Sequence, residues 1–207
     1  MRVYMSADDC GTTVLMDVRG MDTVQISMEG QNLDIECELG SMCVVAVYCR
    51  YGDEIEPYLG WIRKVLGGCE GKAMIIGMDA NAVSPLRYSK YVRTGRESER
   101  RDRELEELIG ELDLEVLNRP SDLFTFSGPM GESGIDVTVV NGGWLERFVC
   151  DTWKVKENWG VSDHNCILIG VESVRGKFKE KIKRGEGGSW EPSTGRCSNQ
   201  NWGGKPI

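Results

Sequence analysis

The residues 42–48, Met-Cys-Val-Val-Ala-Val-Tyr, are almost entirely apolar and rich in β-branched side chains. A run of this kind predicts a strand covered on both faces, at the centre of a sheet rather than at its edge. A helix pattern follows. Ile55, Tyr58, Leu59, Ile62, Val65 and Leu66 fall on one stripe, with Asp53 placed to cap the start and Gly67-Gly68 placed to stop the end. Residues 73–77 form a second short apolar run that breaks off at Asp79. A buried strand, a helix and a second buried strand therefore set the centre of the fold.

The flanking segments read in the same way. Residues 13–18 and 23–26 are β-prone, and residues 33–39 alternate apolar and acidic with a period of two, as a half-buried strand does. A second helix is predicted over residues 97–112, with Leu105, Leu108, Ile109 and Leu112 facing inward. Strands are predicted near 123–126, 134–140 and 165–171, with a further one at 152–155. Strands outnumber helices, which predicts an α+β fold with two packed sheets and helices outside. From residue 175 the composition turns to Gly, Lys, Ser and Asn, which predicts a flexible basic, Gly-rich tail or linker over 175–207 after a domain spanning 1–174.

Composition excludes several classes. No apolar run reaches the roughly 18 residues of a membrane helix, and no secretory signal precedes the first strand. The eight cysteines form no Cys-x-x-Cys pair and the chain has a single histidine, which argues against structural zinc. Cysteines inside apolar runs, such as Cys43 and Cys166, fit buried thiols in a reduced intracellular setting. A formal net charge of −8 argues against general attraction to nucleic acid. The charge is uneven, however. Arg93, Arg96, Arg100, Arg101 and Arg103 crowd one stretch, and the first four are candidate contacts to DNA phosphate. Six basic residues between Arg175 and Arg184 crowd another.

Polar residues interrupt the apolar strands at their ends. They are Asp79 with Asn81, Asp136, and the run Ser162-Asp163-His164-Asn165. A carboxylate closing an apolar strand is costly unless it is solvated, paired or metal-bound. Three such acids and the lone histidine could converge at one sheet edge. Hard oxygen ligands suit Mg²⁺, a carboxylate can orient or deprotonate water, and an imidazole can support charge developing on a phosphate.

At these residues the chain resembles the endonuclease/exonuclease/phosphatase superfamily, which includes DNase I and the apurinic/apyrimidinic endonucleases. The matching phrases are Gly77-Met78-Asp79-Ala80-Asn81, Ser133-Gly134-Ile135-Asp136 and Ser162-Asp163-His164, the first with Met78 as an extra residue between Gly and Asp. A narrower resemblance is to the endonuclease domains of R-one-type non-LTR retrotransposons. It rests on Val47-Tyr48-Cys49-Arg50-Tyr51, on residues 79–86 (Asp-Ala-Asn-Ala-Val-Ser-Pro-Leu), and on Thr125-Phe126-Ser127 ahead of Asp136.

The resemblance implies a DNase I-like, four-layer α/β sandwich. It implies Mg²⁺, with Mn²⁺ as the alternative, double-stranded DNA as partner, and a C-terminal reverse transcriptase domain in a full-length element. It implies that Asp79 orients the attacking water and that Asn81 positions it with the scissile phosphate. His164, held by Asp136, and Tyr48 would contact the phosphate, and Asp163 would lie at the metal edge. The family also carries an early strand with an active-site Asn and a Gln-Glu segment whose Glu is the main metal ligand. No Gln-Glu pair occurs in this chain. The expectation is a domain lacking its first strand and helix, with a catalytically inactive remnant, at most a binding module, as the alternative to a nuclease. A phosphatase of the same superfamily ranks last, because Asn81 is followed by Ala82 and the lipid-inositol phosphatase phrases are absent.

Overall fold

The structure is a computed structural model. It describes residues 42–84, 96–129, 131–157 and 162–174, except that the side chain of Arg96 is not described. It also gives the strand backbones at 2–5, 13–16, 23–29 and 32–37. A compact unit runs from Met1 to Gly176. The tail expected over 175–207 lies outside the described residues.

Arg2–Met5 (β1) and Thr13–Met16 (β2) form an antiparallel pair. The central sheet has six strands: Thr23–Glu29 (β3), Asn32–Cys37 (β4), Met42–Tyr48 (β5), Ala73–Asp79 (β6), Glu115–Val116 (β7) and Asp136–Val140 (β10). Their order is β3-β4-β5-β6-β10-β7. The apolar run expected at the centre is indeed an inner strand. β5 and β6 are parallel, joined by the helix Glu56–Gly68 (α1), while β6 and β10 are antiparallel.

Two covers protect the sheet. On one face α1 and the helix Arg96–Glu111 (α2) pack Ile55, Leu59, Ile62, Leu105 and Leu108 onto Val45, Val47, Met74, Ile76, Val137 and Val139. On the other face lie the short helix Gly142–Leu145 (α3) and the antiparallel pair Phe148–Lys156 (β11) and Cys166–Ser173 (β12). They contribute Trp144, Phe148, Trp153 and Val155, packed against Ala46, Ala73, Ile75 and Val140. A small hairpin, Phe126–Gly128 (β8) with Gly131–Ser133 (β9), completes the described part. No helix among the described residues is long and apolar enough to cross a membrane.

Local details differ from expectation for physical reasons. Asp53 does not cap α1. Its carboxylate accepts from the Tyr58 hydroxyl (3.0 Å), and Ile55 takes the cap position without a side-chain bond, followed by Pro57 in the first turn. Gly67 and Gly68 do not stop the helix but form its last two residues, before Cys69 donates back to the Leu66 carbonyl. α2 ends where Asp113 adopts a left-handed φ of 49°, with Leu114 donating to the Ile109 carbonyl and Asp113 to that of Gly110. This is the paired closure usually given to glycine. The strands β1, β7 and β9 and the helix α3 were not expected. Each is short, and two to four residues carry too little periodicity to read.

Candidate active site

Side chains alternate along a strand, so parity decides which residues share a face. Val45 and Val47 of β5, Met74, Ile76 and Met78 of β6, and Val137 and Val139 of β10 face the helices. Ala46, Ile75 and Val140 face β11–β12. The same parity puts Tyr48, Asp79 and Asp136 on the β11–β12 face, at one end of three neighbouring strands. The register agrees: Tyr48 is the Cα partner of Asp79, and Asp79 of Asp136.

His164 arrives from the segment leading into β12. That segment is tied to the central sheet through β8. The Ser127 amide donates to the Asp163 carbonyl (2.8 Å), and the Asn165 amide donates to the Thr125 carbonyl (2.7 Å). The Asn165 side chain adds a bond to the Phe124 carbonyl (2.8 Å). Phe126 meets the imidazole edge-on, with ring centres 5.2 Å apart. Gly128 lets this layer close, since a Cβ there would lie 2.8 Å from the Phe126 ring and 3.1 Å from the Asp163 carboxylate.

The outcome is a row of three groups. His164 Nδ1 lies 3.1 Å from Asp136 Oδ2, and His164 Nε2 lies 3.4 Å from Asp79 Oδ2. The other oxygen of Asp79 accepts from the Asn81 amide (3.1 Å), an Asx-turn that holds Asn81 at a left-handed φ of 47°. The Asn81 side chain donates to the Cys49 carbonyl (3.1 Å), tying the end of β6 to the end of β5. Asp136 is held through its backbone. Its amide donates to Thr125 Oγ1 (3.2 Å), and its carbonyl accepts from the Asn118 side chain (3.0 Å).

Electrostatics follow from this crowding. Burial, and then the Asp136 charge, push Asp79 well above the usual carboxylate range, to about 7, against the opposing pull of His164, the Asn81 amide and Arg101. Burial alone would lower His164, but the hydrogen bond to Asp136 and the charges of Asp136, Asp79 and Asp163 raise it above its ordinary value. Asp79 and His164 thus each hold a proton more tightly than the free groups do.

The structure therefore brings together Asp79, Asn81, Asp136 and His164, with Tyr48 half-buried beside Asp79 in the strand register. Asp163 is exposed on the Gly128 side of the loop, with its charge acting on His164. Among the described residues no group of three or more His, Cys, Asp or Glu side chains is arranged to hold a metal ion.

The arginine cluster divides. Arg93 lies outside the described residues. Arg96 opens α2. Arg100 is at the surface, in contact with Glu54, Glu97 and Glu104. Arg101 corrects the expectation of a phosphate contact: it has no exposed surface, and its guanidinium is spent on the carbonyls of Ala80, Cys49 and Asp53. Asn118, Thr125 and Phe126 were missed as parts of the site. Only the Thr125-Phe126 phrase carried a signal, and it did so through resemblance.

Residues 42–168 match the family described as endonuclease-reverse transcriptase. The chain belongs to that family. It is 46% identical over 155 residues to the retrovirus-related Pol polyprotein from the type-1 retrotransposable element R1 of Bradysia coprophila. It is 35% identical over 155 residues to a putative 115 kDa protein in the type-1 retrotransposable element R1DM of Drosophila melanogaster. The matches take in 73% and 74% of this chain and 15% of each relative, so the chain spans about a seventh of the proteins it resembles. Among solved structures, the endonuclease domain of TRAS1, a telomere-specific non-LTR retrotransposon, aligns at 28% identity with a TM-score of 0.67. That alignment covers 82% of this chain and 79% of that one. The fold is the DNase I-like α+β fold expected, and the domain is a non-LTR retrotransposon endonuclease domain.

Proposed function

We propose that this domain nicks double-stranded DNA by phosphodiester hydrolysis, the cut that primes reverse transcription of a retrotransposon. The observation that carries the reading is the row Asp136–His164–Asp79, closed by Asn81. Asp136 fixes the imidazole through Nδ1 and favours its charged form, so Nε2–H can support the charge that develops on the phosphate. Asp79, raised towards neutral pH, is matched to taking a proton from the attacking water. Asn81 would position that water with the scissile phosphate, and Tyr48 would contact the phosphate.

Mg²⁺, with Mn²⁺ as the alternative, is the cofactor this reading carries, and Asp163 the carboxylate it would use. A bound cation would supply positive charge to the phosphate. Arg96 and Arg100, at the start of α2, are the proposed contacts to DNA backbone, together with Arg93. Both relatives belong to retrotransposable elements and one is a Pol polyprotein, which supports a reverse transcriptase domain in the full-length protein and a nuclear site of action.

A second reading is a binding module without turnover. A supercoiled-plasmid assay separates the two. The nuclease reading expects Mg²⁺-dependent open-circle product that is lost in His164→Ala while DNA binding persists. Binding without any product in either protein would leave the module.

A further inference from the structure

Arg101 is a fully buried cation, and it reaches the site through the backbone. Its guanidinium spans two strand ends and the loop before α1. Nε and one terminal nitrogen donate to the Ala80 carbonyl (3.3 and 3.0 Å), that same nitrogen donates to the Cys49 carbonyl (3.2 Å), and the other donates to the Asp53 carbonyl (2.6 Å). Cys49 directly follows Tyr48, and Ala80 lies between Asp79 and Asn81. The same junction is stitched by Cys49 N to Asp79 O (2.9 Å), Ala80 N to Ile135 O (3.1 Å) and the Asn81 side chain to Cys49 O (3.1 Å). A desolvated charge persists only where its donors are matched. A planar fork can serve three carbonyls at once, and an ammonium cannot reproduce that spread.

We propose that Arg101 is a positioning residue for the active site, its guanidinium clamping the ends of β5 and β6 to α2 so that Tyr48, Asp79 and Asn81 stay fixed opposite His164. The inference rests on the nuclease reading and adds a residue to it that touches no substrate. The charge also opposes the burial that raises Asp79. Leu105, one turn further along α2, is equally buried but packs only in the apolar layer, and so provides the control for stability alone.

The test compares Arg101→Met, Arg101→Lys and Leu105→Ala in the full chain. Amide hydrogen exchange is read at Cys49, Asp53, Ala80 and Asn81, and plasmid nicking is resolved into kcat and KM. In Arg101→Met those four amides are expected to exchange at least about tenfold faster, with β11 and β12 unchanged. Nicking kcat is expected to fall about 10²-fold at nearly constant KM, the scale of an ångström-sized misplacement. Arg101→Lys is expected to recover only a minor part. Leu105→Ala is expected to lower the melting temperature yet keep kcat below it. If kcat and exchange in the Arg101 variants simply follow stability, as in Leu105→Ala, the proposal is overturned. If Arg101→Met fails to fold, Arg101→Lys decides on the same readouts. If the unaltered protein does not nick, the nuclease reading fails by itself, and the clamp stands or falls on whether the four amides lose protection selectively.

Discussion

The two faces of the central sheet are built from alternate residues of the same strands, yet they hold different chemistry. Towards the helices, Val45, Val47, Met74, Ile76, Met78, Val137 and Val139 make an unbroken apolar layer. Towards β11–β12 the row begins apolar, with Ala46, Ala73, Ile75 and Val140, and ends in Tyr48, Asp79 and Asp136. Thr138 lies buried between, where its hydroxyl accepts from the Trp153 indole (3.1 Å). The helix face therefore carries stability and one end of the other face carries reactive groups. A register slip of one residue would exchange them.

The sharpest way to break this comparison is to cut on the reactive side. His164→Ala and Asp79→Ala are each expected to lower nicking by about 10² to 10⁴, the usual worth of acid–base and charge-stabilising groups. DNA affinity by gel shift should stay close to that of the unaltered protein, because both groups act on the transition state. Asp136→Ala should cost less than either, since Asp136 acts by orienting His164. Loss of affinity in parallel with rate would mean that the row serves binding instead.

Cuts on the helix face should show the opposite pattern. Leu108→Ala removes a fully buried side chain between α2 and the sheet. It is expected to cost about 2–5 kcal/mol in denaturant unfolding while the folded fraction keeps its nicking rate. A variant that kept stability but lost rate would mean that the apolar layer tunes the site directly.

The division also predicts a pH signature. Asp79 has its folded pKa raised from 3.8 to about 7, so between those values the folded state holds a proton that the unfolded state has released. Stability must then fall as pH rises through that window. His164, also raised, adds in the same sense, its contribution being complete below its unfolded value and lost as pH rises through its folded one. Asp79→Asn should flatten the fall in melting temperature between about pH 4 and about pH 7. An unchanged slope would assign the titration to other groups.

What the sequence revealed of this arrangement follows the same division. The inner strands were legible as continuous apolar runs, and both long helices because a period of 3.6 repeated over many residues. The acids closing β6 and β10 stood out against apolar runs. Asn118 and Thr125 gave no such signal, because each acts by replacing a backbone partner for Asp136 or its neighbours, and that role depends on where two distant segments meet. Arg101 misled for a related reason. Neighbouring arginines on a helix point about 100° apart, so a basic run is not one surface.

Arg100 and Arg101 give the comparison its smallest and finest test. They are consecutive in α2, one partly exposed and shared among Glu54, Glu97 and Glu104, the other interior. The three glutamates already neutralise much of the Arg100 charge, so any phosphate contact it makes must compete with them. Arg100→Ala should leave kcat unchanged and lower the salt dependence of DNA affinity by no more than the slope of about 0.9 that one phosphate contact contributes. The measurement is the slope of log affinity against log salt for Arg100→Ala and the unaltered protein on the same duplex. A slope reduced by close to one contact would place DNA along the start of α2. An identical slope would leave Arg100 as part of a solvated face, with α2 joined to the site through its buried arginine alone.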